Sequence, residues 1–273
     1  MAQLTVPVPC GRLFVVEEGT GPAILLLHAG IVDSRAWEPL APHLVVAGYR
    51  TIRYDARGFG RSETEDVDFS NRADVLAVLD ALAVGRACLV GNSRGGQIAV
   101  DTAVEHPGRV AALVTIGANI GGLEPEATPA EAALFEEMDR LEADADPETV
   151  ADLHVRLWVD GIGQPTDRVP SGIRDAVREM DRRVADRGRV HGRPIRLLPP
   201  AAERLDALTM PVLALAGAFD VSDVWATAQH LERMCPNARA MLMPDVAHMI
   251  ALEAPQAVAA LIVELLQPLG RFG

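Results

Sequence analysis

The sequence predicts an α/β fold: a mostly parallel sheet of eight strands, helices on both faces, and one inserted helical segment. Three observations carry this. Short apolar runs such as Ala23-Ile24-Leu25-Leu26-Leu27 and Val110 to Ile116 recur, as strands buried on both faces require. Stretches of helical periodicity alternate with them, which implies parallel strands joined by crossovers. Between Gly121 and Pro200 the alternation stops, and three helical stretches follow one another with no convincing strand. That is too much helix for one crossover, so the reading divides the chain into a core, 1–120 and 206–273, and a helical cap insertion, 121–205.

The elements follow in order. Residues 3–17 alternate apolar and polar around Pro7, Pro9 and Gly11, the pattern of an edge hairpin. Strand 23–27 ends at His28-Ala29-Gly30. Helical spacing runs from Trp37 to Ala47 and stops at Gly48. Arg50 to Tyr54 is the next strand, followed by a glycine-rich polar loop, Asp55 to Ser62. A helix over 70–83 places Val75, Leu76, Leu79 and Leu82 on one face. A strand from Ala87 leads into Gly91-Asn92-Ser93-Arg94-Gly95-Gly96, and a helix runs on to Glu105. His106-Pro107-Gly108 stops it before strand 110–116.

In the insertion, Thr128-Pro129-Ala130-Glu131 has the N-cap, proline and glutamate of a helix start, and the helix extends to Asp144. Asp146-Pro147-Glu148 opens a second helix ending near Gly161. A third spans 172–185, and a proline-rich return runs from His191 to Pro200. The alternation then resumes with strand 212–216, the Gly217-to-Asp220 loop, helix 224–234, strand 238–242, a loop bearing His248, and helix 255–266.

Composition narrows the functional classes. Of 273 residues, 49% are apolar, enough for one large core, and the net charge of −13 argues against nucleic acid and anionic membrane surfaces as partners. No apolar run is long enough to span a bilayer. The first residues, Met1-Ala2-Gln3-Leu4-Thr5, lack the basic and apolar regions of a secretory leader. Cys10, Cys88 and Cys235 form neither a metal-ligand spacing nor a disulfide framework. The expectation is a cytoplasmic protein with no metal and no cofactor, acting on a small molecule, and compatible with a homodimer.

Gly91-x-Ser93-x-Gly95 between a strand and a helix fits a nucleophile elbow. A serine that attacks a carbonyl must stand clear of the backbone, and flanking glycines let strand and helix close up beneath it. A glycine-rich βα turn without chemistry has the same letters, so context decides. Ser93, Asp220 and His248 each follow a strand, and in a parallel sheet those ends share one edge. Their order is that of a nucleophile, its orienting acid and its general base. Asp220 also suits a helix cap, with Asp223 as the alternative acid. Among the other histidines, His43, His106, His154, His191 and His230 fall in helices, helix ends or the insertion, and His28 comes too early to be the base.

With these residues in view, the chain resembles the α/β-hydrolase superfamily over nearly its whole length. The resemblance rests on His28-Ala29-Gly30, Asp55-Ala56-Arg57-Gly58-Phe59-Gly60-Arg61-Ser62, the elbow, the Gly217-to-Asp220 loop and His248. Ala29 replaces a glycine usual in that family. The resemblance implies a cofactor-free serine hydrolase of small esters or lactones, with the backbone N–H groups of Gly30 and Arg94 as oxyanion hole and the 55–62 loop structural. Ser93 separates the chain from dehalogenases and epoxide hydrolases, which carry aspartate there. Gly-Asn-Ser-x-Gly-Gly is also similar to the elbow of meta-cleavage C–C hydrolases, although Met249 stands where those usually have tryptophan. A small-molecule receptor on the same fold is the non-enzymatic alternative. His28, Arg94, Trp158 and Met249 are the candidate substrate-binding residues. Arg94, next to the nucleophile, either binds a substrate carboxylate or pairs with a buried acid. Trp158 either roofs the pocket or packs the insertion on the core.

Overall fold

The computed structural model describes residues 1–125, 127–184 and 190–272. Its sheet contains eight principal strands: β1 (Ala2–Val8), β2 (Gly11–Glu18), β3 (Ala23–Leu27), β4 (Arg50–Tyr54), β5 (Ala87–Asn92), β6 (Val110–Ile116), β7 (Val212–Gly217) and β8 (Ala238–Met243). They lie in the order β1-β2-β4-β3-β5-β6-β7-β8. The β1–β2 and β2–β4 pairs are antiparallel, and every pair from β4 to β8 is parallel. The chain runs outward from β3 to β4 and then returns to β5 on the other side of β3. Such a reversal opens a crevice at the strand ends, here between the ends of β3 and β5.

Strand alternation divides the core into two layers. Leu25, Leu27, Leu89 and Leu113 face one side, against Val75 and Leu79 of α2 (Asn71–Ala81) and Ile98 and Val104 of α3 (Arg94–Glu105). Ile24, Leu26, Val90 and Val114 face the other, against Leu44 and, near the C-terminus, Val258, Ile262 and Leu266. Each such side chain contributes about 1.5–3 kcal/mol when fully buried. The first helix, α1 (Ala41–Val46), starts later than the periodicity from Trp37 suggests, because Pro39 and Pro42 confine the preceding residues to a single 3₁₀ turn, Ser34–Trp37.

The insertion between β6 and β7 carries α4 (Pro129–Asp144), α5 (Pro147–His154) with a wide π-helical turn over Val155–Asp160, and α6 (Ser171–Val184). Ala185, the expected end of the third helix, lies outside the described residues. One expectation needs correction: the proline-rich return contains a two-residue strand, Arg193–Pro194, paired in parallel with Asp68–Phe69. The pairing is long-range, and the Arg193 guanidinium reaches both Asp66 and Asp68. The insertion seals onto the core through Val155, Val159, Val177 and Met180, which pack against Ala29, Val32, Met249 and Leu252. The core is completed by α7 (Ser222–Met234), α8 (Ile250–Glu253) and α9 (Pro255–Leu266). Among the described residues, no helix is long and apolar enough to cross a membrane.

Two buried polar clusters hold the frame. In the 55–62 loop, Asp55 accepts the Ser34 and Arg61 N–H groups, while Arg57 meets Asp74 of α2 through two bonds of 2.8 Å and donates to Pro9 O. In the insertion, His154 bridges all three helices, with Nδ1 2.6 Å from Asp181 and Nε2 2.9 Å from Glu142. Burial opposes charge on that imidazole, but the bonds and charges of Asp181 and Glu142 prevail and raise its pKa. Burial also raises the Asp181 carboxyl.

Arg57→Met strands the Asp74 carboxylate in the interior and is expected to cost about 3–5 kcal/mol, read from urea unfolding. The shifts at His154 and Asp181 share a sign. A raised histidine stabilises the fold fully below its unfolded pKa and loses that contribution as pH rises through the folded value; a raised carboxyl penalises ionisation over the same direction of change. Protease resistance of the 129–184 region therefore falls as pH rises above about 6.5, and falls less in His154→Gln; an equal fall in both proteins contradicts this account.

Candidate active site

Three strand ends meet at one edge of the sheet. After β5 the chain turns at Ser93, whose φ of +52° and ψ of −119° are costly for a residue with a side chain. Crowding enforces the turn. A Cβ at Gly91 would overlap the Gly95 carbonyl oxygen, and a Cβ at Gly95 would overlap that of Leu27. The Ser93 N–H donates to Ile116 O at 2.8 Å, which ties the apex to the end of β6.

Asp220 and His248 follow β7 and β8. His248 Nδ1–H donates to Asp220 Oδ2 at 2.8 Å, and the two side chains are 7% and 1% exposed respectively. Asp220 Oδ1 also accepts the Val221 N–H at 2.8 Å. A donor at Nδ1 leaves the Nε2 lone pair able to take a proton. Asp223, the alternative acid, instead accepts from Asn119 at 3.0 Å. Burial pulls the His248 pKa down, but the Asp220 charge, its hydrogen bond and the Asp223 charge outweigh burial and raise it. Gly117 at the end of β6 lies under this pair: a Cβ there would stand 2.9 Å from His248 Nδ1 and 3.0 Å from Asp220 Oδ2.

Asn92 joins the elbow to the histidine. Its amide donates to Ile116 O at 3.0 Å and to His248 O at 3.3 Å. Gly30 and Arg94 flank the apex from β3 and α3; the Arg94 Cδ lies 3.9 Å from where a Gly30 Cβ would stand. Arg94 opens α3, where N–H groups have no intrahelical acceptor.

The four candidate binding residues separate. His28 donates from Nδ1 to Ala29 O at 2.8 Å, and its Nε2 accepts the Ala56 N–H at 2.9 Å. Burial and the nearby Arg94 charge lower its pKa, so it stays neutral. Both ring nitrogens are spent on backbone, so His28 pins the 28–30 turn to the 55–62 loop and offers a substrate no free nitrogen. Met249, 1% exposed, is packed into the apolar seam between core and insertion. Trp158 lies over His248, with ring centroids 4.8 Å apart, and stacks on Phe135 at 6.4 Å. It lines a cavity of about 410 Å³ together with Gly30, Ile31, Met138, Val150 and His154. Arg94 points its guanidinium over Phe59, 4.8 Å from the ring centroid, and donates to Asn71 Oδ1 at 3.1 Å. It lines a separate cavity of about 560 Å³.

Three anchoring residues have little local signal. Asn92 is legible only as part of the elbow. Glu131 completes the expected capping box with Thr128 but also accepts the Ser222 N–H at 2.6 Å and its hydroxyl at 2.7 Å, tying α4 to the start of α7, two residues beyond Asp220. Burial opposes that charge, yet these bonds hold the carboxyl down to about 2. Arg168 donates to Val159 O and Asp160 O at 2.7 Å and to Asp245 O at 2.9 Å, joining the insertion to the loop that bears His248.

Comparison with known proteins follows the same lines. A family model described as alpha/beta hydrolase fold matches residues 22–153. The 2-hydroxy-6-oxononadienedioate/2-hydroxy-6-oxononatrienedioate hydrolase of Comamonas testosteroni is 36% identical over 119 residues, 41% of this chain and 41% of that protein. Matches to the first such relatives thus span about two fifths of their length. Rhodomycin D methylesterase DnrP of Streptomyces peucetius is 29% identical over 280 residues, 90% of this chain and 92% of that protein. The enol-lactonase of Burkholderia xenovorans LB400 superposes with a TM-score of 0.76 at 20% identity, covering 97% of this chain and 100% of that one, a likeness of fold. Sheet order, elbow, family model and relatives agree: the chain has the α/β-hydrolase fold, and its residues 22–153 match the model of that family.

Proposed function

We propose that the protein is a serine hydrolase that cleaves a small carboxylic ester or lactone through an acyl-Ser93 intermediate. The observation that carries this reading is the buried Asp220–His248 bond, held by Asn92 against an elbow whose apex is Ser93. Core segments 1–120 and 206–273 supply the reacting groups, and the 121–205 cap covers them through Trp158.

The reaction then runs in two stages. Ser93 Oγ attacks the substrate carbonyl carbon as His248 Nε2 takes its proton. The N–H groups of Gly30 and Arg94 receive the developing oxyanion; one such donor is worth about 10²–10³ in rate. Asp220 holds the imidazole in the useful tautomer and stabilises it once charged. The imidazolium then gives its proton to the leaving oxygen, and the bond to the acyl carbon breaks. Water, deprotonated by His248, attacks the acyl-serine and releases the acid.

A second reading has specific support. The C. testosteroni relative is named a 2-hydroxy-6-oxononadienedioate/2-hydroxy-6-oxononatrienedioate hydrolase and is 36% identical over its matched stretch, in keeping with the C–C reading of the elbow. The same residues serve both reactions. Turnover of a panel of p-nitrophenyl esters, aliphatic lactones and vinylogous diketones separates them: diketone cleavage without ester or lactone turnover selects the C–C reading.

A fluorophosphonate probe labels Ser93 in the wild type and leaves Ser93→Ala unlabelled, and that variant loses about 10⁴-fold or more in p-nitrophenyl acetate turnover. Folded protein that neither labels nor turns over any member of the panel supports the receptor alternative. The pH profile tests His248 directly. The base must be neutral, so kcat/KM rises with pH through a limb displaced above the ordinary histidine value. Asp220→Asn removes the charge that raises it, moves the limb to lower pH and lowers kcat by about 10⁴-fold; an unmoved limb assigns it to another group.

A further inference from the structure

The cavity of about 560 Å³ beside the elbow has a polar wall on one face of α3. Arg94, Gln97 and Asp101 line it, opposite Ile120 to Glu124 and the Pro194-to-Leu198 return. Their i, i+3, i+7 spacing stacks them along about two helical turns, roughly 10 Å. Gln97 lies one turn from Ser93, whose carbonyl accepts its N–H at 3.0 Å. The cavity therefore lies along the helix that the proposed nucleophile precedes.

Two side chains of this wall lack the partners that buried polar groups ordinarily have. Among the described residues, Arg94 Nη1 is out of contact with water and has no acceptor, and the guanidinium forms no ion pair with a carboxylate. Its neighbour Asp74 is already committed to Arg57 by two bonds. At the other end, Asp101 Oδ1 is buried without a donor among the described residues. Burial, with Glu105 nearby, pushes that carboxyl up to about 6 against the pull of Arg72. The structural alternative from the sequence, an arginine paired with a buried acid, is not what the structure contains. A buried N–H of a guanidinium left without an acceptor is costly unless something else supplies one. The other cavity differs: its charged residues Glu142, His154 and Asp181 already satisfy one another.

We propose that the α3 trench binds an acidic arm of the substrate, a carboxylate seated on Arg94 with polar hydroxyl or amide groups reaching Gln97 and Asp101. This deepens the serine-hydrolase reading and rests on it: the substrate class becomes esters or lactones whose acid or alcohol portion carries a free carboxylate. With a net charge of −13, the protein's overall field repels such anions, so the local cation provides the selection.

Binding is measured by calorimetry on Ser93→Ala, which separates recognition from turnover, with glutarate as probe and glutaramide as its neutral match. Glutarate is expected to bind at least tenfold more tightly. Adding Arg94→Met abolishes that preference, while Arg94→Lys, which keeps a point charge without the planar fork, retains part of it. On Ser93-intact protein, the ratio of kcat/KM for p-nitrophenyl hydrogen glutarate to that for p-nitrophenyl butyrate falls at least tenfold in Arg94→Met. Equal binding of glutarate and glutaramide overturns the proposal even if every Arg94 variant fails to fold, because that comparison needs none. A preference that survives Arg94→Met in folded protein overturns it as well. Carboxylate-selective binding without turnover or probe labelling supports the subsite and rejects only the hydrolase reading.

Discussion

The organisation of this molecule depends on how closely α3 can approach β3 and β5. Helix and strand meet backbone to backbone at Gly91 and Gly95, where a single added carbon would strike the carbonyl oxygen of Gly95 or Leu27. The approach has two consequences. It leaves Ser93 no ordinary conformation, so its side chain stands at an apex with positive φ. It also sets the first turn of α3, whose N–H groups lack intrahelical acceptors, beside the turn that bears Gly30. Wider separation, of the kind side chains impose elsewhere in the sheet, would dissolve both arrangements at once.

The remaining groups are assembled around that contact by backbone-directed polar bonds. The end of β6 is shared: Ile116 O receives both the Ser93 N–H and the Asn92 amide, and Asn92 continues to the carbonyl of His248. Asp220 and His248 are then bonded to one another over Gly117. On the opposite side, neutral His28 joins the turn bearing Gly30 to the 55–62 loop. Every one of these bonds is buried or nearly so, where a missing partner costs about 1–3 kcal/mol. The edge of the sheet is thus fixed by bonds made within the fold itself.

The insertion is attached differently. Its apolar seam is modest, and much of its placement comes from charges: Glu131 to the start of α7, Arg168 to the β8–α8 loop, Arg35 to Glu179 of α6 at 2.8 Å. These links reach the same loops that carry Asp220 and His248. Trp158 and the segment holding it are thereby positioned relative to the histidine and not merely to the sheet. The cavity lined by Arg94 and the cavity lined by Trp158 differ in what their described walls leave unsatisfied.

Much of the core could be read from the chain. Strands β3 and β6 announce themselves as apolar runs, α2 and α9 as periodic stretches, and α4 by its capping box, because these signals arise between residues close in sequence. Ser93, Asp220 and His248 were recognisable as residues after strands, since a parallel sheet brings such ends to one edge. Tertiary structure decided what depends on partners far along the chain. It shortened α1, where two prolines interrupt a plausible periodicity. It paired Arg193–Pro194 with Asp68–Phe69. It gave His248 to Asp220 and Asn119 to Asp223, although the two acids lie three residues apart. It turned His28 toward backbone, and left Arg94 beside Phe59 and Asn71 without a counter-charge among the described residues. The reason is physical: periodicity and capping are local properties of a segment, whereas the partner of a buried charge is whichever group the closed fold delivers within about 3 Å.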